Sequence, residues 1–292
     1  MTEQTRSRLQ VLGAALLFST GGAVVKATAL TAWQVAGFRS GVAALAILLL
    51  VPAARRGWTW HVLPVGVAYA TTLVLFVAAN KLTTAANAIF LQASAPLYML
   101  ALGPLLLKEP VRRRDLAFMA PVLLGLVLFF VGSEPAIHTA PNPRLGNIFA
   151  AMSGITYALT LVGLRWLSGR DGGEGSGLPT VAAGNLIAFF ACLPAALPVV
   201  NAGTGDWLAM GYLGVFQIGL AYLLLTSGVR HVTALEVSVL LLLEPALSPV
   251  WTWLVHGETP GPWSIAGGIL ILGATLLRTS ADARSERTAP GG

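Results

Sequence analysis

Long apolar runs separated by short polar segments fill most of the chain. A helix needs about 20 apolar residues to cross a hydrocarbon core of roughly 30 Å, and ten runs approach that length. We therefore predict an all-α integral membrane protein with ten transmembrane helices, at residues 9–27, 33–51, 62–79, 85–107, 116–131, 145–167, 180–200, 207–226, 233–255 and 263–277. A polar, glycine-rich linker at 168–177 follows the sixth predicted span, and we expect the polar tail at 281–292 to be disordered.

The composition is that of a membrane protein. Hydrophobic residues make up 55% of the chain and charged residues 10%, and the mean hydropathy is +0.75. These values exclude an ordinary water-soluble domain, and with it most soluble enzymes. The single cysteine, Cys192, lies in an apolar run, so the sequence offers neither an internal disulfide nor a thiolate metal cluster.

The basic residues between the predicted spans indicate the orientation. With the N-terminus in the cytoplasm, 14 of the 18 Lys and Arg residues fall on the cytoplasmic side, and the other four are Lys26, Lys81 and Arg144 outside and Arg39 within a span. Cytoplasmic loops collect Lys and Arg, so this asymmetry favours an even number of spans and two cytoplasmic termini. The net charge of +6 therefore reports topology, and we expect no nucleic-acid partner.

The two halves of the chain are similar at a shift of 149 residues. Three anchor residues of the first half then align without gaps on three of the second: Asn87, Pro96 and Glu109 on Glu236, Pro245 and Glu258. Each half holds five predicted spans, an odd number, so the halves insert in opposite orientations. We predict two inverted five-helix repeats, residues 1–140 and 141–280, around a central cavity, an arrangement typical of secondary transporters.

Pro96 and Pro245 fall at the centres of the fourth and ninth predicted spans. Proline has no amide hydrogen and crowds the carbonyl four residues earlier, so the carbonyls of Gln92 and Leu241 lose their helical partners. An unsatisfied carbonyl is costly in hydrocarbon, and helix breaks persist where they face protein or a water-filled cavity. We therefore predict helix breaks at both prolines beside the cavity. The alternative is a pair of packing kinks relieved by neighbouring Ser or Thr side chains.

Three sequence segments point to a known family. They are GFRSG at 37–41, the proline-centred fourth span ending in LLLKEP, and LLLEPALSPVWTWLVHGE at 241–258, which precedes a glycine-rich tenth span. Together they resemble the drug/metabolite transporter (DMT) superfamily, specifically a pair of EamA-type repeats. The first half departs from the pattern, with Ala95 in place of a glutamate and Lys108 in place of a glycine. The resemblance implies a ten-helix carrier, and amino acid exporters, including aromatic and neutral ones, are common in this family.

Three ionisable residues lie inside predicted spans: Arg39, Glu236 and Glu244. Such residues cost at least ~2.5 kcal/mol each on insertion scales, so each needs a reason. Glu244, at the midplane, can bind a substrate ammonium group or a proton, or it can be a fixed hydrogen-bonding residue that holds the ninth span to its neighbours. Arg39 can pair with an acidic residue or attract a carboxylate, and we favour a structural role for it. We expect Glu236 to be solvated or paired with Arg230.

Uncharged polar and aromatic residues recur at helical spacing and predict a polar cavity with aromatic walls, suited to a small zwitterion with an apolar side chain. The candidate substrate-binding residues are Ser19, Tyr69, Thr72, Asn87, Gln92, Ser94, Tyr98, Thr156, Tyr157 and Glu244. For any single Ser or Thr, the alternative is hydrogen bonding between helices.

The sequence carries no recognisable enzyme motif. It contains no G-x-x-x-x-G-K phosphate-binding loop, and its four histidines fall in loops or at span ends without metal-ligand spacing. The predicted spans contain no Ser-His-Asp or paired-carboxylate arrangement. We therefore expect no catalytic residues, no metal and no cofactor.

These inferences predict a secondary transporter of a bacterial cytoplasmic (inner) membrane that moves small organic solutes by alternating access. Amino acids as substrates and export as the direction are what the resemblance implies. One alternative is a multidrug or nucleotide-sugar carrier, although Arg39 alone supplies few cations for phosphates. Another is a non-transporting membrane assembly subunit. We expect the substrate and the lipid bilayer as partners and a monomeric chain, with a dimer and the coupling to protons left open.

Overall fold

A computed structural model gives the fold and describes residues 2–107, 113–131, 135–170, 177–200, 202–228, 237 and 240–288. The described chain is almost entirely helical, and Ile137 and Ala140 form an isolated β-bridge. The α-helices are α1 (Glu3–Ser19), α2 (Gly21–Ala27), α3 (Ala32–Leu50), α4 (Val62–Leu82), α5 (Ala85–Gln92), α6 (Ala95–Leu102), α7 (Arg113–Val131), α8 (Pro143–Arg170), α9 (Gly177–Ala196), α10 (Thr204–Tyr212), α11 (Ala221–Gly228), α12 (Leu243–His256) and α13 (Pro262–Thr288). Two π-helical segments, Gly103–Leu107 and Leu213–Leu220, continue α6 and join α10 to α11.

Six helical stretches of the described chain are long and apolar enough to cross a membrane. They are Glu3–Ala27, Ala32–Leu50, Val62–Leu82, Pro143–Leu167, Gly177–Ala196 and Thr204–Gly228. Two shorter apolar stretches, Met119–Val131 and Pro262–Leu277, coincide with the fifth and tenth predicted spans. The fold is therefore that of a multi-pass helical membrane protein, and ten crossings in two inverted repeats stay a prediction.

The helix is interrupted just before each of the two central prolines. In the fourth predicted span, α5 ends at Gln92 and α6 begins at Ala95, which places Pro96 in the first turn of α6. In the ninth, Leu242 precedes α12, and Pro245 lies in the first turn of that helix. Proline is tolerated in a first turn because amides there have no intrahelical partner. Residues 233–236, 238 and 239 of the ninth predicted span lie outside the described residues.

Local sequence signals explain several helix ends. Thr31 and Gln34 form a capping box at the start of α3, with Gln34 N donating to Thr31 Oγ1 over 3.3 Å. Thr84 caps α5 by accepting from Asn87 N at 3.2 Å. Gly257 ends α12 at a φ of 64°, in the left-handed region that favours glycine.

The last helix extends into the polar tail. α13 continues to Thr288, so residues 281–288 are helical. The sequence between Gly273 and Pro290 holds neither glycine nor proline, and its Ala, Arg and Glu residues are good helix formers. Nothing in this sequence stops the helix before Pro290, and disorder of the rest of the tail stays a prediction. Likewise, α8 continues to Arg170, into the predicted linker, of which residues 171–176 lie outside the described chain.

The helices pack into one bundle in which elements from both halves of the chain interleave. α4 packs against α8 and α9, α3 against α9, α1 against α11, and α7 against α13. α9 approaches α4 closely at Gly184, where a Cβ atom would lie only 2.4 Å from Cδ1 of Tyr69. Glycine, which has no Cβ atom, leaves room for the Tyr69 ring. This close approach holds the Tyr69 ring at the centre of the bundle.

Candidate functional site

A cavity of about 290 Å³ lies in the middle of the bundle, between the two helix interruptions. Residues on both sides of each interruption line it: Gln92, Ala93, Ala95 and Pro96 from one, and Leu241, Leu242, Glu244 and Pro245 from the other. Residues of α1, α3, α4, α5, α8, α11 and the π-helical segment Leu213–Leu220 complete the wall. The two proline-associated breaks therefore border one shared internal space.

Five of the ten candidate binding residues line this cavity: Tyr69, Thr72, Gln92, Tyr157 and Glu244. Hydrogen bonds to α8 hold two of them. Thr72 Oγ1 donates to Ala68 O and to Thr156 Oγ1, each over 2.9 Å. Gln92 Nε2 donates to Ser153 Oγ at 2.6 Å. Thr156, a further candidate, thus lies directly behind Thr72 rather than in the wall itself.

Two of the other candidates, Ser19 and Ser94, are buried and hydrogen-bonded within the protein. Ser19 Oγ donates to Leu16 O at 2.7 Å and accepts from Trp251 Nε1 at 2.9 Å. Ser94 Oγ donates to the carbonyl of Leu91. Both hydroxyls therefore serve helix geometry or helix contacts, the alternative considered for single serines.

Asn87 and Tyr98 also lie apart from the cavity wall. Asn87 Nδ2 donates to Asn147 Oδ1 at 3.1 Å and to Thr83 Oγ1 at 3.3 Å. The Tyr98 ring packs against α8, where a Cβ atom at Gly154 would lie 3.2 Å from its Cε2. Each residue thus contacts a partner distant in sequence, which the spacing along one helix does not reveal. Glu236 and Arg230 lie outside the described residues.

The cavity is lined by several residues that were not among the candidates. Tyr222 stands at the centre of an aromatic group, with its ring centroid 5.2 Å from that of Phe18 and 6.0 Å from that of Tyr69. Gln217 and Arg39 line the cavity as well. Gln217 and Tyr222 are five residues apart, which is about 140° around an α-helix. The π-helical segment Leu213–Leu220 changes that angle, so α-helical periodicity could not place both on the cavity face.

Arg39 and Glu244 are the charged residues in the described part of the lining. Arg39 is 2% exposed, and its Nη2 donates to Leu73 O at 3.3 Å. Its Nε is buried and has no hydrogen-bond partner among the residues described. Neither residue forms an ion pair with any part of the chain that the structure describes. The cavity therefore presents one positive and one negative group, both uncompensated by a neighbouring opposite charge.

A second set of buried charges, the Lys26–Glu258 cluster, lies where α2, α4 and α12 end. Lys26 Nζ is 3.0 Å from Glu258 Oε2, and the two side chains are 2% and 1% exposed. Lys26 also donates to the carbonyls of Thr83, at 2.8 Å, and Thr139. Glu258 Oε1 accepts from Ala85 N, at the start of α5, over 2.6 Å. One ion pair thus ties together four segments that are distant in sequence.

Neighbouring loops strengthen the same end of the bundle. Lys81 Nζ donates to Thr28 O at 2.7 Å and to Thr28 Oγ1 at 3.0 Å. Asp206 accepts from Ala29 N at 2.8 Å and from Gly203 N at 2.9 Å. These bonds connect the loop after α2 to α4 and to the start of α10. The Lys26–Glu258 ion pair and these hydrogen bonds therefore join the loops at this end of the bundle.

The chain is similar to known transporters. The model of the EamA-like transporter family matches residues 6–131 and again 144–280. The pseudopaline exporter CntI of Pseudomonas aeruginosa is 26% identical over 271 residues, covering 90% of this chain and 92% of the relative. An uncharacterized transporter of Archaeoglobus fulgidus is 28% identical over 209 residues, 70% of this chain and 71% of the relative.

A solved crystal structure of another protein has the same fold. It is similar over 97% of this chain and 99% of its own, with a TM-score of 0.63 and 20% sequence identity. At this identity the likeness concerns the fold alone. The two family matches together cover nearly the whole chain, as the EamA-type segments predicted, and the protein is a membrane transporter that belongs to the EamA-like transporter family of the DMT superfamily.

Proposed function

We propose that this protein is a secondary transporter that exports small organic solutes, amino acids in particular, through the central cavity. The observation that carries the proposal is the cavity itself, which is bordered by both helix interruptions and contains Arg39 and Glu244, neither of which forms an ion pair with a residue that the structure describes. Its volume of about 290 Å³ suits a solute of amino-acid size. The relative named as an exporter supports the outward direction.

The helix interruptions supply polar groups to the cavity in a hydrophobic setting. Carbonyls freed near Gln92 and Leu241 accept hydrogen bonds from the solute, as backbone does in broken helices of other transporters. Tyr69, Tyr157 and Tyr222 provide aromatic walls for an apolar side chain. The site thus combines polar contacts for an amino acid backbone with apolar contacts for its side chain.

In an alternating-access mechanism, the Lys26–Glu258 cluster has a role in transport. The two family matches and the alignment at a shift of 149 residues support two inverted five-helix repeats, ten helices in all, that rock about the cavity. For the cavity to open toward the Lys26–Glu258 cluster, that ion pair and the loop contacts around it must separate. The cluster is then the closed gate on the outer side, because the positive-inside rule assigns both termini to the cytoplasm of a bacterial inner membrane.

Flux measured with the purified protein tests the transport proposal. Proteoliposomes containing only this protein are preloaded with unlabelled amino acids, and uptake of labelled amino acid by exchange is followed. We expect exchange of at least one neutral or aromatic amino acid above that of empty liposomes. Flux of cationic drugs without flux of amino acids would favour the multidrug alternative, and no flux of any solute would favour an assembly subunit.

Cysteine labelling tests the proposed orientation. Gly177 and Gly203 are exposed, and the native Cys192 is buried. In a Cys192→Ala background, we expect Gly177→Cys to react with an impermeant thiol reagent only from the cytoplasmic side and Gly203→Cys only from the outer side. Labelling of both positions from the same side would contradict the proposed topology.

A further inference from the structure

Arg39 is a buried cation that forms no ion pair with the residues that the structure describes. Its side chain is 2% exposed, and its Nη2 donates to Leu73 O over 3.3 Å. Nε has no hydrogen-bond partner in the described part of the chain. A buried charge is stable only when it is paired and hydrogen-bonded, so an arginine held in this way requires compensation from outside the chain.

The open part of the Arg39 environment is the cavity. Arg39 belongs to the lining together with Gln217 and the aromatic side chain of Tyr222. The described lining contains one acidic residue, Glu244, which forms no ion pair with Arg39. The two opposite charges therefore remain available to two separate groups of one solute.

The chemistry of the guanidinium indicates which group of the solute it binds. Its planar fork of N–H donors matches a carboxylate, and the charge-assisted bonds that result are stronger than bonds between neutral groups. Phosphate or diphosphate groups carry more charge than one arginine compensates, so a single cation favours a single carboxylate. Glu244, in turn, suits a positively charged or protonated group of the same solute.

We infer that Arg39 binds the carboxylate of the transported solute and makes the cavity selective for solutes that carry one. This inference rests on the proposed function, since it takes the cavity to be the transport site. It assigns Arg39 a specificity role in place of the structural role that the sequence favoured. An arginine that only bound helices together would have its donors directed at the protein, whereas Nε here is unpartnered.

The test compares solutes that differ only in the carboxylate. Exchange into proteoliposomes and thermal stabilisation of the purified protein are measured with a panel of neutral amino acids, their amides and their decarboxylated amines. We expect the wild type to prefer an acid over its amide and amine by about tenfold to a hundredfold, the range of one charge-assisted hydrogen bond. In Arg39→Gln this preference should fall to about twofold or less, and Arg39→Lys should retain part of it.

Stability separates a binding role from a structural one. Because Arg39 is paired with no carboxylate that the structure describes, Arg39→Gln should unfold at the wild-type temperature or above it. The control is Ser40→Ala, on the same helix, whose hydroxyl also has no hydrogen-bond partner and which does not line the cavity. Ser40→Ala should keep the wild-type preference.

The possible outcomes distinguish this inference from the proposed function. Flux of amides and amines at rates equal to those of the acids in the wild type would overturn the inference while leaving transport intact. An undiminished preference in Arg39→Gln, or its failure to fold while Arg39→Lys folds with no preference, would also overturn it. Absence of flux for every solute would instead contradict the proposed function.

Discussion

Lys26 and Arg39 are both buried basic residues of the first half of the chain, but they differ in their partners. Lys26 contacts Glu258 at 3.0 Å and donates to two carbonyls. Within the described chain, Arg39 Nη2 donates to Leu73 O at 3.3 Å and Nε has no partner. The same kind of charge is therefore fully compensated at the end of the bundle and left uncompensated at its centre. The difference indicates that the first residue holds the structure together and the second is available to a solute.

The largest effect on stability is expected from breaking the compensated pair. Lys26→Met leaves the Glu258 carboxylate buried without its partner, which should destabilise the protein by about 3–5 kcal/mol. The double variant Lys26→Met/Glu258→Met removes both charges and should recover most of that loss, because buried ion pairs are often replaceable by apolar residues. The stabilities of both variants are measured by unfolding the purified protein in detergent with heat and with denaturant. Equal stability of the single variant and the wild type would show that the pair does not hold this end closed.

A large effect on transport with little effect on stability is expected at the cavity. Glu244→Gln removes a carboxylate that has no ion-pair partner in the described structure, so no opposite charge is left behind. We expect amino acid exchange to fall at least tenfold, the scale of one charge-assisted bond, while the unfolding temperature changes by a few degrees at most. Glu3→Gln, an exposed residue near the N-terminus, is the control and should exchange at the wild-type rate. Loss of folded Glu244→Gln protein would favour the structural role.

A smaller effect is expected from the packing that positions the cavity wall. A Cβ atom at Gly184 would lie 2.4 Å from Tyr69 Cδ1 and 2.9 Å from Gly66 O, so Gly184→Ala must move the ring or separate α4 from α9. Overpacking of this kind should cost about 1–3 kcal/mol and weaken the preference for aromatic over small amino acids. Gly211→Ala, where a Cβ atom meets nothing within 4 Å, is the matched control. Unchanged stability and preference in Gly184→Ala would show that Tyr69 is not fixed by this contact.

The sequence predicted the features of the fold that depend on local chemistry. The helix is interrupted at Pro96 and Pro245 because the missing amide acts within a few residues of the proline. The family resemblance is confirmed by the matches over both halves. Five candidate residues reach the cavity because polar groups in an apolar helix must face something polar.

The positions of the remaining site residues could not be predicted, because they depend on contacts distant in sequence or on irregular helix geometry. Asn87 Nδ2 donates to Asn147 Oδ1, sixty residues away, and no pattern within one helix shows that pairing. Tyr222 reaches the cavity beside Gln217 through a π-helical segment. Arg39 could not be assigned from the sequence either, since its role depends on whether an acidic residue lies nearby in the fold.

Protection of a cysteine in the cavity wall tests the central claim most directly. Ala93 lines the cavity at the first helix interruption, and Ala93→Cys in a Cys192→Ala background places a thiol there. The rate of its reaction with a small thiol reagent is measured with and without a saturating amino acid that the protein exchanges, and Gly203→Cys serves as the control. We predict that the amino acid slows labelling of Ala93→Cys at least fivefold and leaves labelling of Gly203→Cys unchanged. Equal labelling of Ala93→Cys in the presence and absence of that amino acid would contradict the account.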